Sequence, residues 1–118
     1  MKKRIELNAA LMDVRGDAAH RLSVFALLNL GIVQSLASRV ISAEDAIPLF
    51  YNADNCLYVR KQLRNKHAEA IMSRGVQLPD LFEHLPAGKA YREFTHELEA
   101  IRAHCLALLN KTRSATAA

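Results

Sequence analysis

The apolar positions start with an ambiguous run. Ile5, Leu7, Ala9 and Leu11 alternate as in a strand, while Ile5, Ala9 and Met12 repeat as in a helix. Residues 2–15 are read as helical, because nothing else in the chain could pair with a lone strand. Gly16 and Asp17 then supply a break and an N-cap.

A central helix is expected over 18–41. Leu22, Phe25, Ala26, Ile32, Val33, Leu36, Ala37 and Val40 share one face at helical spacing. Val24, Leu27, Leu28 and Leu30 make the other face apolar too. A helix apolar all round is enclosed by neighbours or by a partner chain. Gly31 costs such a helix about 1 kcal/mol against Ala, and close approach of another backbone would account for it. Asn29 falls among the core-side residues. Its amide either bonds a carbonyl at a helix end or pairs across a two-fold axis, fixing register between two chains.

Ser42-Ala43-Glu44-Asp45 resembles a capping box, with Asp in the place of Glu or Gln. Pro48 follows too deep for a first-turn proline, so that helix should be short or kinked. From Asn52 to Gly75, Cys56, Val59, Leu63, Ala70 and Ile71 share a face, but Arg60 and His67 fall in the same arc. A break near Asn65 avoids burying those groups, and Gly75 is read as the residue closing the second helix. Pro79 is read as starting a short turn holding Leu81, Phe82 and Leu85, which Pro86 and Gly88 end. The last helix, 89–110, carries the stripe Tyr91, Phe94, Leu98, Ile101, Cys105, Leu108 and Leu109, and is about 33 Å long at 1.5 Å per residue.

The fold class expected is all-α: a compact bundle of about five helices, with 18–41 and 89–110 as its long core pair. A single domain over 1–111 and a flexible tail over 112–118 follow from the small residues at the end. At 118 residues, one domain is the natural size. Few glycines and prolines, and an apolar set dominated by Ala and Leu, agree with long helices.

The net charge of +4 and a pI near 9.3 raise the question of a polyanionic partner. Part of the excess lies at the ends, in Lys2, Lys3, Arg4, Lys111 and Arg113, where it reads as a solubility feature. The rest concentrates at Arg60, Lys61, Arg64 and Lys66, with Arg74 beyond, and these four are the candidate nucleic-acid contacts. Arg60 and Lys66, however, are read as spread well round the helix from Lys61 and Arg64. Val24 to Val33, interrupted by Asn29, is too short for a membrane span, and no signal sequence is apparent. Cys56 and Cys105 fall on apolar faces and read as buried free thiols in a reducing cytoplasm.

Several candidate chemistries each lack a necessary part. Glu93-x-x-His96 has the spacing of di-iron bundle ligands, but no second such pair exists. His96-Glu97 opens a zinc-protease pattern that Ala100 interrupts. Cys56 with Asp54 and His67 lacks the exposed, electropositive setting of a reactive thiolate. Arg15-Gly16-Asp17 reads as a helix break and cap rather than an adhesion signal. No catalytic, metal-binding or cofactor-binding residue is therefore expected.

Leu30-Gly31 with Leu36, then Ile41-Ser42-Ala43-Glu44 leading to Ala46 and Phe50, resembles a small bacterial helical family of unknown function. Gly75, Leu78, Leu81 and Pro86 continue the likeness, which spans residues 24–101, and Pro48 departs from it. The resemblance implies a helical domain and transfers no active residue. The expectation for function is a non-enzymatic, cytoplasmic protein–protein interaction or regulatory domain. It would self-associate as a homodimer at Asn29 and Gly31, with nucleic-acid binding as the alternative.

Overall fold

Short side-chain caps divide the chain into its helices. The computed structural model describes residues 4–12, 14 and 17–116, with side chains as far as residue 111. The helices are α1 (Leu7–Met12), α2 (Ala18–Ala37), α3 (Ala43–Leu49), α4 (Ala53–Tyr58), α5 (Lys66–His84) and α6 (Ala87–Thr116), and no strand occurs among the described residues. A single π-turn, Val59–Leu63, extends α4. The all-α class expected from the periodicity is the observed one.

Asp17 starts α2 by accepting from the amides of Ala19 and His20 at 3.1 and 3.4 Å. Ser42 starts α3 with a complete capping box. Its hydroxyl accepts from Asp45 N, and the Asp45 carboxylate accepts from Ser42 N, both at 3.0 Å. Asp thus closes the box as well as the usual Glu would. With Pro48 inside it, α3 is only seven residues long. The break near Asn65 is also present: Arg64 is left-handed at φ 48°, and Asn65 Oδ1 accepts from His67 N and Ala68 N at 2.8 and 3.2 Å.

Four expectations need correction. The central helix ends at Ala37 rather than Ile41, because Arg39 turns left-handed at φ 61°. Val40 N then donates to Ser35 O at 2.9 Å and Arg39 N to Leu36 O at 3.2 Å, the two bonds of a Schellman close. Ala37 and Val40 are therefore exposed instead of buried. Gly75 and Pro79 do not end and restart helices, since α5 runs through both. Pro79 has no N–H to give the carbonyl four residues back, which is that of Gly75, and the helix absorbs the lost bond. The 89–110 helix starts at Ala87 and its backbone continues to Thr116, into the stretch read as a tail. Its thirty residues, about 45 Å at 1.5 Å each, account for most of the 48 Å long axis.

The helix α6 is the spine, and both α2 and α5 pack along it, so there are three long helices where two were expected. Helix α3 lies on α5, and α1 bridges α2 and α4. The tail of the 2–15 reading is observed as α1, whose Leu7 and Leu11 are fully buried; Lys2, Lys3, Asp13, Arg15 and Gly16 lie outside the described residues. Two buried asparagines organise the core. Asn29 donates to Phe25 O within its own helix at 2.9 Å and accepts from the Tyr51 hydroxyl at 3.1 Å. Asn55 clips the N-terminal segment to the bundle by accepting from Leu7 N at 2.9 Å and donating to Ile5 O and Phe50 O at 2.7 and 2.8 Å. Arg4, read as a frayed terminal charge, pairs with Asp54. Phe25, Phe50 and Tyr51 fill the centre, with Phe50 and Tyr51 edge to face at 5.2 Å.

Candidate functional site

The structure does not assemble the chemistries considered from spacing alone. Glu93 and His96 are both exposed. Glu97 is taken by Arg74 of α5. Among the described residues no group of three or more His, Cys, Asp or Glu side chains is arranged to hold a metal ion. Asp54 is engaged by Arg4, and His67 by His104, so no triad forms around Cys56. Burial pushes the Cys56 thiol up against a smaller opposing pull from Arg60, and burial pushes Cys105 up to about 12. Both thiols are therefore protonated near neutral pH.

What the fold leaves on the surface is more informative. Helix α2 turns Phe25, Ala26, Asn29, Ile32, Val33 and Leu36 inward. Its opposite side carries Leu27, 57% exposed, then Gly31, with half-buried Val24 and Leu28 at the edges. A side chain at Gly31 would meet nothing within 4 Å, so no neighbour among the described residues accounts for the glycine. Asn29 is wholly enclosed and turned to Tyr51, so it does not reach this face, contrary to a role in pairing across a two-fold axis. By length and composition alone α2 is apolar enough to cross a membrane, with a mean hydropathy of 1.2, yet only 33% of that stretch is buried within the chain.

A second feature lies where the α2–α3 turn meets α5 and α6. The Arg39 guanidinium sits over the Tyr91 ring, 4.6 Å from its centroid. On one side is an open groove of about 310 Å³ whose walls include Ile41, Pro79, Phe82 and Phe94. On the other is one of about 290 Å³ walled by Val33, Leu98 and Arg102 among others. Phe82 and Tyr91 are both 42% exposed and stand edge to face at 5.7 Å. The periodicity read Tyr91 as core stripe and gave no sign of the groove, because α3, α4, the π-turn and α5 all intervene between Arg39 and Tyr91.

The third feature surrounds the π-turn. Arg60, Lys61, Arg64 and Lys66 are all exposed, while Val59 and Leu63 anchor the turn in the core at 1% and 6% exposure. Beside it, His67 Nδ1 and His104 Nδ1 are 2.9 Å apart. One ring must then donate from Nδ1 and the other accept. Desolvation lowers the His104 pKa first, with further lowering by His67 and Arg74. Thirty-seven residues separate the two histidines, so no local pattern could announce the pair.

No curated protein and no solved structure matches the chain. One family model does, over residues 19–118, which takes in α2 to α6 with all three surface features. The chain belongs to the family described as protein of unknown function (DUF3969).

Proposed function

We propose that this protein is a non-enzymatic interaction domain that self-associates as a homodimer through the outer face of α2. The observation that carries the reading is the face itself. On the outer side of α2, Leu27 is 57% exposed while Val24, Leu28 and Leu30 are half-buried against the core, and one turn beyond Leu27 stands Gly31, where a side chain would meet nothing within 4 Å. A mid-helix glycine costs about 1 kcal/mol relative to Ala. The cost is explained if a second helix backbone crosses at Gly31, flanked by Leu27 from each copy. A two-fold axis at that point makes the patch self-complementary, as closed homodimers require. The same reading takes the protein to act in the cytoplasm, where free thiols such as Cys56 and Cys105 persist.

Sedimentation of the full chain over a wide concentration range tests the proposal. A concentration-dependent dimer is expected, with Leu27→Glu shifting it to monomer while leaving the helical circular dichroism unchanged. Wild-type protein that stays monomeric at every concentration would overturn it. So would partition of the wild type, but not of Leu27→Glu, onto lipid vesicles with no dimer in solution, which would assign the face to a membrane surface.

A further inference from the structure

We infer that the turn from Arg60 to Lys66 binds the phosphate backbone of double-stranded nucleic acid. The case rests on four cations and the way the fold presents them. Arg60, Lys61, Arg64 and Lys66 are all exposed, and among the described residues none of them forms an ion pair. Like charges this close along the chain repel one another. The chain leaves that repulsion unrelieved here while pairing Arg4 with Asp54 and Arg74 with Glu97. A polyanion would relieve it.

Helical phase argues against convergence only if the segment is one unbroken helix. It is not: Val59–Leu63 is a π-turn, Arg64 is left-handed, and α5 begins afresh at Lys66 under the Asn65 cap. Arg60 and Lys66 are thus not held to the directions a straight helix would impose. The platform is also stiff. Val59 and Leu63 are in the core, and Asn65 Oδ1 holds the start of the next helix by accepting hydrogen bonds from His67 N and Ala68 N. Single π-turns inside helices occur often at functional sites, and a left-handed non-glycine residue such as Arg64 is characteristic of them too.

The choice of duplex follows from what is missing beside the cations. Single strands are bound by stacking bases on exposed aromatic rings. The nearest aromatic in sequence is Tyr58, which is half-buried and packs against the core. Arginine and lysine on phosphates position a duplex without reading its sequence, and the net charge of +4 favours the encounter. This inference does not depend on dimerisation through α2, whose exposed residues Leu27 and Gly31 are on another helix.

The test is fluorescence anisotropy of the full chain with a labelled DNA duplex, the matching single strand and poly-glutamate, each over a range of salt. Duplex binding is expected whose log affinity falls with log salt at a slope of about −3 to −4, from roughly −0.9 per phosphate for four contacts. Lys61→Gln combined with Lys66→Gln should weaken binding at least about tenfold and reduce the slope by about two. Circular dichroism of the double variant checks that the fold is kept, and Arg60→Gln alone, with a slope change of about one, serves if it is not. Absence of duplex binding at low salt, undiminished binding by a folded variant, or a preference for the single strand or poly-glutamate would each overturn the inference.

Discussion

The Tyr51 hydroxyl donates to Asn29 Oδ1 at 3.1 Å, and both residues are sealed from solvent, at 1% and 0% exposure. The bond joins the middle of α2 to the segment between α3 and α4. Tyr51→Phe leaves the Asn29 oxygen buried without a donor and should cost about 1–3 kcal/mol in urea unfolding. Burial also raises the Tyr51 pKa, so the hydroxyl stays a donor throughout the usable pH range. Asn29→Leu should destabilise the fold similarly but leave the oligomeric state unchanged, since Asn29 does not reach the surface.

Gly75 faces the ring of the same tyrosine. A Cβ there would stand 2.5 Å from Tyr51 Cγ, and the ring is held in place because its hydroxyl is bonded and it packs edge to face with Phe50. Gly75→Ala should destabilise by about 1–3 kcal/mol through overpacking, despite the better helix propensity of Ala. Gly31→Ala is the control. It meets nothing within 4 Å, and the folded monomer should gain about 1 kcal/mol. Thermal melts of the two variants should move in opposite directions.

Asn55 makes three bonds to backbone groups of Ile5, Leu7 and Phe50. Asn55→Ala strands buried groups on both sides of that clip and should cost about 3 kcal/mol or more, taking roughly 1 kcal/mol for each. The loss should be felt first at the N-terminal segment. Hydrogen exchange at Leu7 and Leu11 should speed up more than at Ile101 on α6.

His104 couples stability to pH. Its pKa is lowered in the fold, by desolvation first and then by His67 and Arg74, so the unfolded chain takes up the proton more readily. Stability from this group is complete above the unfolded value of about 6.5 and is lost as pH falls below it toward the lower folded value. Denaturant midpoints should therefore drop on acidification through that window. The His104→Gln variant should show a flatter profile over the same window.

Much of the secondary structure is legible in the sequence. The Asp17 and Ser42 caps depend on side chains bonding amides two or three residues away, and such bonds leave a local signature; the break near Asn65 is legible instead from the cost of burying Arg60 and His67, and its Asn65 cap is seen only in the structure. The stripe on α6 is similarly plain, with Phe94, Leu98, Ile101, Cys105 and Leu108 all buried as the spacing required. The four cations were visible too, but their geometry was not, because helical phase cannot be carried across a π-turn and a left-handed residue.

Other positions acquired their meaning only in three dimensions. Gly75 reads as a helix end from its neighbours in sequence, yet it is a flat spot cut for the Tyr51 ring. Gly31 reads as a place where another backbone comes close, yet among the described residues nothing lies within 4 Å of a side chain placed there. The apolar periphery of α2 belongs to the sequence, whereas packing in the bundle buries Phe25, Ala26, Ile32, Val33 and Leu36, half-covers Val24, Leu28 and Leu30, and leaves Leu27 exposed. Caps and periodicity are short-range, within a few residues of the groups they serve. The Asn29–Tyr51 bond, the His67–His104 contact and the Arg39–Tyr91 groove join residues 22, 37 and 52 positions apart, and only the packing of whole helices brings them together.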